Sequence, residues 1–325
     1  MKKSVNVKEL AFKIAPLITL IVLSGYLAIV SENFLHFDNL MNILRQATTI
    51  SLIAVGMLIV IITAGIDLSV GAVMALSICV MGIALKAGIT NPLLLILICI
   101  ATGTGMGIIN GLLLTKLHLP HPFISTIGTR NISRGLALFI TGAAPIIGFP
   151  KIIEVPGSAD ISGIPLSFII VLIVYVCVHL FLNHTVLGRE IYSVGGNKEA
   201  ALLSGINVGK VLTFVYGFSG FMCASAGIIY VGRVGGALPL AGTTADLDAI
   251  AAVIIGGASF FGGKGTVWGT LIGVLLISVI RNGLNLLSAS ADLQYVVIGL
   301  VIVIAVFVDV LRTKVEEKAK RMAKA

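Results

Sequence analysis

Long apolar runs separated by short polar, glycine or proline clusters set the rhythm of this sequence. A helix needs about 20 mainly apolar residues to cross a hydrocarbon layer. Ten runs of that kind are predicted as crossings, at about residues 12–30, 48–64, 69–87, 91–115, 122–141, 165–183, 210–231, 247–262, 265–287 and 293–311. The two that meet near Gly65 to Ser69 read either as separate crossings or as one broken crossing. The first run follows a basic start, as a signal peptide would, but it is long enough to span and has no small-residue cleavage site followed by a soluble mature domain, so it is expected to stay as an anchor. The pattern predicts an all-α polytopic membrane protein whose residues 1–325 form a single transmembrane domain.

Composition narrows the class further. Hydrophobic residues make up 58% of the 325 positions and charged residues 11%, whereas roughly a quarter of a soluble domain is charged. Mean hydropathy is +1.11. There are 22 Lys and Arg against 14 Asp and Glu, a net charge of +8, and ten of the basic residues lie at the ends. Lys2, Lys3, Lys8 and Lys13 precede the first run; Arg312, Lys314, Lys318, Lys320, Arg321 and Lys324 form a basic tail over residues 312–325. The positive-inside rule then places both termini in the cytoplasm and requires an even number of crossings. Lys116, His118 and Lys264 fall in inside turns on that count, and residues 184–210 form the longest inside segment. A tail beside a membrane exit reads as a topological anchor, so no nucleic-acid partner is expected. The four cysteines all lie within apolar runs, which implies no disulfide framework.

Two glycine patterns match. Gly103-Thr104, Gly107 and Gly111 recur as Gly265-Thr266, Gly269 and Gly273, each followed by three aliphatic residues. Glycines four apart let another helix approach closely. The two patterns lie five crossings apart, so their helices run in opposite directions, as expected of a five-plus-five inverted repeat.

The inside segment 184–210 is charged and varied in composition. Gly195-Gly196-Asn197 reads as a turn, with Asn197 capping a short helix from Lys198 to Ser204 that Gly205 ends. Glu199, Ala200 and Leu203 lie on that helix. A plain connector has no need of a capped helix with apolar groups, so this one is read as a docking surface for a cytoplasmic partner.

The form GRxIYxVGGNxEAAxLSGI over Gly188 to Ile206 resembles the EAA loop of bacterial ABC importer permeases, in the branch that takes ribose, galactose, xylose or autoinducer-2. Gly65 to Gly71, Asn110-Gly111, Pro122-Phe123-Ile124 leading to Gly128, Arg134-Gly135 and Asp246 to Gly257 also match, so the resemblance covers about residues 35–310. Thr129 to Ser133 is more polar than that family's pattern. The resemblance implies a subunit of the bacterial inner membrane that pairs with a second permease subunit, identical or paralogous. Two ABC ATPase subunits dock on the pair, and an extracytoplasmic sugar-binding protein selects the ligand. It also implies that Gly195, Gly196, Asn197, Glu199, Ala200 and Gly205 couple the permease to the ATPases. No nucleotide loop is present in the chain itself: in Ala258 to Gly265 the first glycine and the Ser or Thr position of a phosphate loop are missing, and a tight turn is expected there.

Ionisable or amide groups at membrane depth face a cavity or a partner. Asp67, Asn110, Arg134, Asp248 and Asn282 are the candidates for a translocation path. Alternatives stay open for several of them. Asp67 either shapes the path or caps the third crossing, Asp246 caps the eighth, and Asn110 and Asn282 either line the path or cap local backbone. A pairing of Asp67 or Asp248 with Arg134 is expected. Aromatics are 6% with a single tryptophan, Trp268, which argues against a tight sugar site within the membrane. The five histidines show no metal spacing, since His118 and His121 flank Pro120 without a carboxylate or cysteine beside them. Neither a cofactor nor a catalytic constellation is indicated, so the chain reads as no enzyme. The alternative function is an ion-coupled secondary sugar transporter, for which Asp67 would be the titrating carboxylate.

Overall fold

Each of the ten apolar runs forms a helix in the computed structural model, which describes residues 7–322 except His118 and Pro120. Lys2, Lys3, His118, Pro120 and Lys324, used above to set topology and turns, lie outside the described residues, as do the side chains of Lys8, Lys13, Arg312, Lys318, Lys320 and Arg321. The runs become α1 (Val7–Val30), α2 (Phe37–Ile62), α3 (Val70–Lys86), α4 (Pro92–Thr115), α5 (Pro122–Thr141), α7 (Leu166–His184), α10 (Val208–Val234), α11 (Ala245–Ile255), α12 (Val267–Leu286) and α13 (Ala291–Met322). Among the described residues, α2, α4, α7, α10, α12 and Ala291–Leu311 of α13 are long and apolar enough to cross a membrane; Ile14–Val30 and α3 are shorter apolar helices. α11 has 11 residues, about 16 Å of rise, half of the ~30 Å hydrocarbon layer. The chain is thus an all-α membrane protein in which one predicted crossing is a half-helix.

Local chemistry explains the helix starts. Asn91 accepts from the Leu93 and Leu94 amides ahead of Pro92, His121 accepts from the Phe123 amide ahead of Pro122, and Thr266 accepts from the Gly269 amide. Each satisfies amides that have no intrahelical partner. Gly142 and Gly235 end α5 and α10 in the left-handed conformation.

The connection after the fifth apolar run carries structure, and the inside segment 184–210 carries more than the short helix expected at Lys198 to Ser204. Within 142–164, Ile146–Ile147 (β1) pairs antiparallel with Gly236–Ala237 (β4), Lys151–Ser158 forms α6, and Asp160–Ile161 (β2) pairs with Ile164–Pro165 (β3). Within 184–210, Val186–Gly196 forms α8 ahead of α9 (Lys198–Leu203). Gly195 and Gly196 therefore close a helix, and the turn expected across them is carried by Asn197 alone. Three glycines in eleven residues argue against a helix on propensity. Packing overrides it: a β-carbon on Gly188 would overlap the Phe181 and Leu182 carbonyls, and one on Gly195 the Ile62 carbonyl.

α10 lies at the centre, against α2, α3, α4 and α6. Gly103, Gly107 and Gly111 of α4 face Gly220, Tyr216 and Thr213 of α10 with no room for a β-carbon. Gly269 and Gly273 of α12 press in the same way on Gly256 and Ala252 at the end of α11. Both glycine patterns thus serve close helix approach. They do not occupy equivalent places, however, because the first lies within α4 whereas Gly265 and Thr266 precede α12.

Replacing Gly107 by valine is expected to lower stability in detergent by about 1–3 kcal/mol through overpacking. Gly105→Val, at a position with open space, serves as the control. Thermal unfolding followed by size-exclusion chromatography separates the two; equal midpoints would contradict the glycine contact.

Candidate functional site

The segment after α7 begins at Thr185, whose hydroxyl accepts from the Gly188 amide at 3.0 Å and starts α8. Asn197 ends α8 and starts α9, its Oδ1 accepting from the Ala200 amide at 2.9 Å. Gly205 follows α9 at φ +84°, so the short helix expected from Asn197 to Gly205 forms. Ile191, Val194 and Ala201 turn inward. Lys198, Glu199 and Ala200 are exposed, and Leu202 and Leu203 present 64% and 89% of their surface. α9 thus leaves two large apolar side chains open on its surface.

α8 and α9 pack on α2 and α10, and on the α2 side the contact is made by backbone. Gly195 sits beneath the Ile62 carbonyl, the last residue of α2, and the Gly263 amide donates to that same carbonyl at 2.8 Å. Gly262 and Gly263 have φ of +84° and +70°, which gives the tight turn expected before Gly265. The Tyr192 hydroxyl donates to the Gly265 carbonyl at 2.8 Å, and burial pushes its pKa above the ordinary value, so it stays a donor at neutral pH. Asp309 of α13 holds the same turn by accepting from the Phe260 amide at 3.0 Å. Gly262, Gly263 and Asp309 were not singled out from the sequence; the Gly262-Gly263 doublet was the available signal.

Past Ile62 the chain leaves its helix and forms α3 only at Val70. In this break Asp67 is 2% exposed. Its Oδ1 accepts from the Ser69 amide at 3.0 Å and from the Ser69 hydroxyl, and its Oδ2 from the Ser219 hydroxyl of α10 at 2.9 Å. Asn110 of α4 donates to the Ser69 hydroxyl at 2.9 Å and accepts from Thr129 of α5 at 2.6 Å. Within the polar stretch Thr129 to Ser133, Thr129 thereby serves the break and Arg130 reaches Asp246. Asn110 does not cap local backbone; it ties three segments together.

A second break runs from Gly235 to Thr244, ahead of α11. Arg134 of α5 donates to the Pro239 and Ala241 carbonyls there. The expected pairing of Arg134 with Asp67 or Asp248 does not form, because these carbonyls occupy its guanidinium. Asp248 pairs instead with Arg281 of α12, whose Nη2 lies 2.6 and 2.7 Å from its two carboxylate oxygens. Asp246 is not the cap of α11, since Thr244 holds that position; it lies 3.2 Å from Arg130. Asn282 is likewise no local cap, for it exchanges amide hydrogen bonds of 2.7 and 3.1 Å with Asn39. The start of α3 touches the second break: a β-carbon on Gly71 would overlap the Gly242 carbonyl.

Beside the second break lies a cavity of about 490 Å³ between α2, α3, α10, α11 and α12, with Thr49, Tyr230, Arg233, Asp248, Ser278 and Arg281 in its lining. Of the five candidate path residues, Asp248 lines it; Asp67, Asn110, Arg134 and Asn282 do not.

Comparison with known proteins places the chain among transport permeases. The family described as "Branched-chain amino acid transport system / permease component" matches residues 39–306. The ribose import permease protein RbsC of Bacillus subtilis is 42% identical over 310 residues, 95% of this chain and 96% of that protein. The D-allose transport system permease protein AlsC of Escherichia coli is 41% identical over 283 residues, 87% of this chain and 86% of its own. The fructose import permease protein FrcC of Rhizobium meliloti is 36% identical over 304 residues, 90% of this chain and 84% of its own. No solved structure matches.

Breaking the Asp248–Arg281 pair from one side, by Asp248→Asn or Arg281→Gln, is expected to lower stability by about 2–4 kcal/mol, because it strands the other charge. The double variant should recover part of that loss. A double-mutant cycle on thermal stability checks this, and additive losses would mean that the two groups do not act as a pair.

Proposed function

We propose that this chain, which belongs to the branched-chain amino acid transport system / permease component family, is the membrane-spanning subunit of an ATP-driven importer for a monosaccharide. The family is a transport permease component and not an enzyme. The ligand class follows from relatives named for ribose, allose and fructose. In this reading the protein is a multi-pass protein of the bacterial inner membrane with both termini in the cytoplasm. Residues 1–325 form one transmembrane domain, 184–210 the coupling segment and 312–325 a basic anchor. It works with a second permease subunit, ABC ATPase subunits and an extracytoplasmic sugar-binding protein.

A five-plus-five inverted repeat of ten membrane segments is supported by the packing partners. α3 packs on α4, α5 and α10; five segments later, α11 packs on α12, α13 and α2. α4 packs on α10 as α12 does on α2. α3 and the half-helix α11 are counterparts in this scheme, and the start of α3 meets the break ahead of α11 at Gly71 and Gly242.

The observation that carries the coupling role is the exposed α9 seated, through Gly195, on the end of α2. Glu199, Ala200 and Leu203 meet the ATPase; Asn197 and Gly205 frame the helix; Gly195 and Gly196 fasten it to the bundle. ATPase closure shifts α8 and α9, the Gly195–Ile62–Gly263 contact passes that shift to the break that carries Asp67, and the two repeats exchange access around the path. Asp248 lies on the path, while Asp67, Asn110, Arg134 and Asn282 brace the segments that border it. An ion-coupled mechanism would require Asp67 to titrate, whereas its carboxylate already accepts from three donors.

Glu199→Ala changes an exposed side chain, so stability is expected to shift by no more than about 0.5 kcal/mol. Sugar uptake by the reconstituted complex should fall at least about tenfold while ATP hydrolysis continues, equivalent to some 1.4 kcal/mol of lost coupling. Gly205→Val, which adds strain at a positive φ, should act in the same direction. Normal uptake by both variants would refute the coupling role.

A further inference from the structure

α7 and α10 both pack on α2. Between them runs a groove of about 360 Å³, walled by Ile173, Cys177 and Phe181 of α7 and by Phe214, Phe218 and Phe221 of α10. The phenylalanines form a continuous run of rings: centroids lie 5.8 Å apart for Phe181 and Phe214, 6.1 Å for Phe214 and Phe218, and 6.3 Å for Phe218 and Phe221. Ile173, Phe214 and Phe221 keep 59%, 37% and 37% of their surface open, and Cys177 is exposed, so the groove is reached from outside the bundle. Apart from the Cys177 thiol every side chain in its lining is apolar. Water would find no partner there, and an empty apolar cleft forfeits dispersion contacts along its length. Both helices are long and apolar enough to cross a membrane, which makes hydrocarbon the solvent around the groove.

The charges at one end of the groove select among lipids. Residues three and four apart share a helix face. On α10 the row Phe221, Phe218 and Phe214 continues at that spacing to Lys210, and on α7 the row Ile173, Cys177 and Phe181 continues to His184. Lys210 and His184 are both exposed, and they lie at the ends of α7 and α10 that flank α8 and α9. Neither α7 nor α10 contains an Asp or a Glu. From Lys210 to Phe221 is eleven residues, about 16 Å along a helix, the depth of one leaflet in a hydrocarbon core of ~30 Å.

We propose that this groove is a binding site for one acyl chain of an anionic phospholipid, whose phosphate rests on Lys210 and the His184 ring. The chain then runs over Phe214 and Phe218 and ends beside Phe221. A second copy of the protein is the poorer occupant: a two-fold axis along the membrane normal would bring its own Lys210 to the same depth, like charge against like. The site stands apart from the importer reading, because it requires only that α7 and α10 cross a membrane.

The test uses the full chain in phosphatidylcholine nanodiscs that contain, at equal mole fraction, either phosphatidylglycerol or phosphatidylcholine with a diazirine midway along one acyl chain. After irradiation, peptide mass spectrometry is expected to find adducts of the phosphatidylglycerol probe on 173–181 and 214–221. Their yield should exceed that on the exposed apolar face of α13, around Val303 and Phe307, and should be at least about fivefold that of the phosphatidylcholine probe. Lys210→Gln should lower this lipid preference about fivefold, the effect of one basic residue at an anionic headgroup. Cys177→Trp fills the groove and should remove the adducts; if it does not insert, Lys210→Gln, at an exposed position, still decides. Adducts no more frequent in the groove than on α13, equal yields from the two lipids, a preference unchanged by Lys210→Gln, or groove adducts that persist in an inserted Cys177→Trp would each overturn the site. Oxidative linkage of Cys177 to Cys177 between two copies in membranes would give the groove to a second copy and would overturn it as well.

Discussion

A backbone that leaves its helix inside hydrocarbon must find partners for every N–H and C=O it frees, because no water is there to supply them. This chain leaves its helices ahead of α3 and ahead of α11, and a connected set of buried polar side chains serves those two departures. Asp67, Ser69, Ser219, Asn110 and Thr129 form one continuous hydrogen-bond chain around the first break. Arg134 satisfies two carbonyls of the second. Where the start of α3 meets the second break, glycine on both sides lets backbone lie on backbone. The apolar remainder of the bundle needs only packing, which α2 and α10 supply through close glycine contacts.

The same arrangement supplies a mechanism. The first break is continuous with the end of α2, and that end is where α8 and the turn at Gly262-Gly263 converge on a single carbonyl, that of Ile62. In the proposed mechanism a displacement of the surface helix reaches the interior through these backbone contacts, which side-chain rotation cannot absorb. Beside the second break lies the polar cavity. α8, the first break and the second break form a contiguous set of contacts, the kind of connection that the proposed coupling between distant sites would use.

Much of this was legible in the sequence. All ten apolar runs became helices, since length and hydropathy are decisive where hydrocarbon is the solvent. Asn197 and Gly205 gave away α9 because capping chemistry is local. What failed was long-range. The glycines of α8 look like breakers until Ile62 and Leu182 press on them, and nothing in the spacing says that they will. Arg134 was assigned a carboxylate, yet it serves carbonyls of an irregular segment that the sequence does not reveal as lying inside the bundle. Asp246 looks like a cap beside α11, but Arg130, 116 positions earlier, competes for it.

The central claim is that this chain is a conduit without a motor of its own, driven through α8 and α9. Uptake of labelled monosaccharide into proteoliposomes measures it directly, with the chain alone under proton or sodium gradients on one side and the chain with its ATPase and binding protein on the other. Accumulation against a gradient only in the complete assembly, and only with ATP, is the result expected. Gradient-driven accumulation by the lone chain would contradict it.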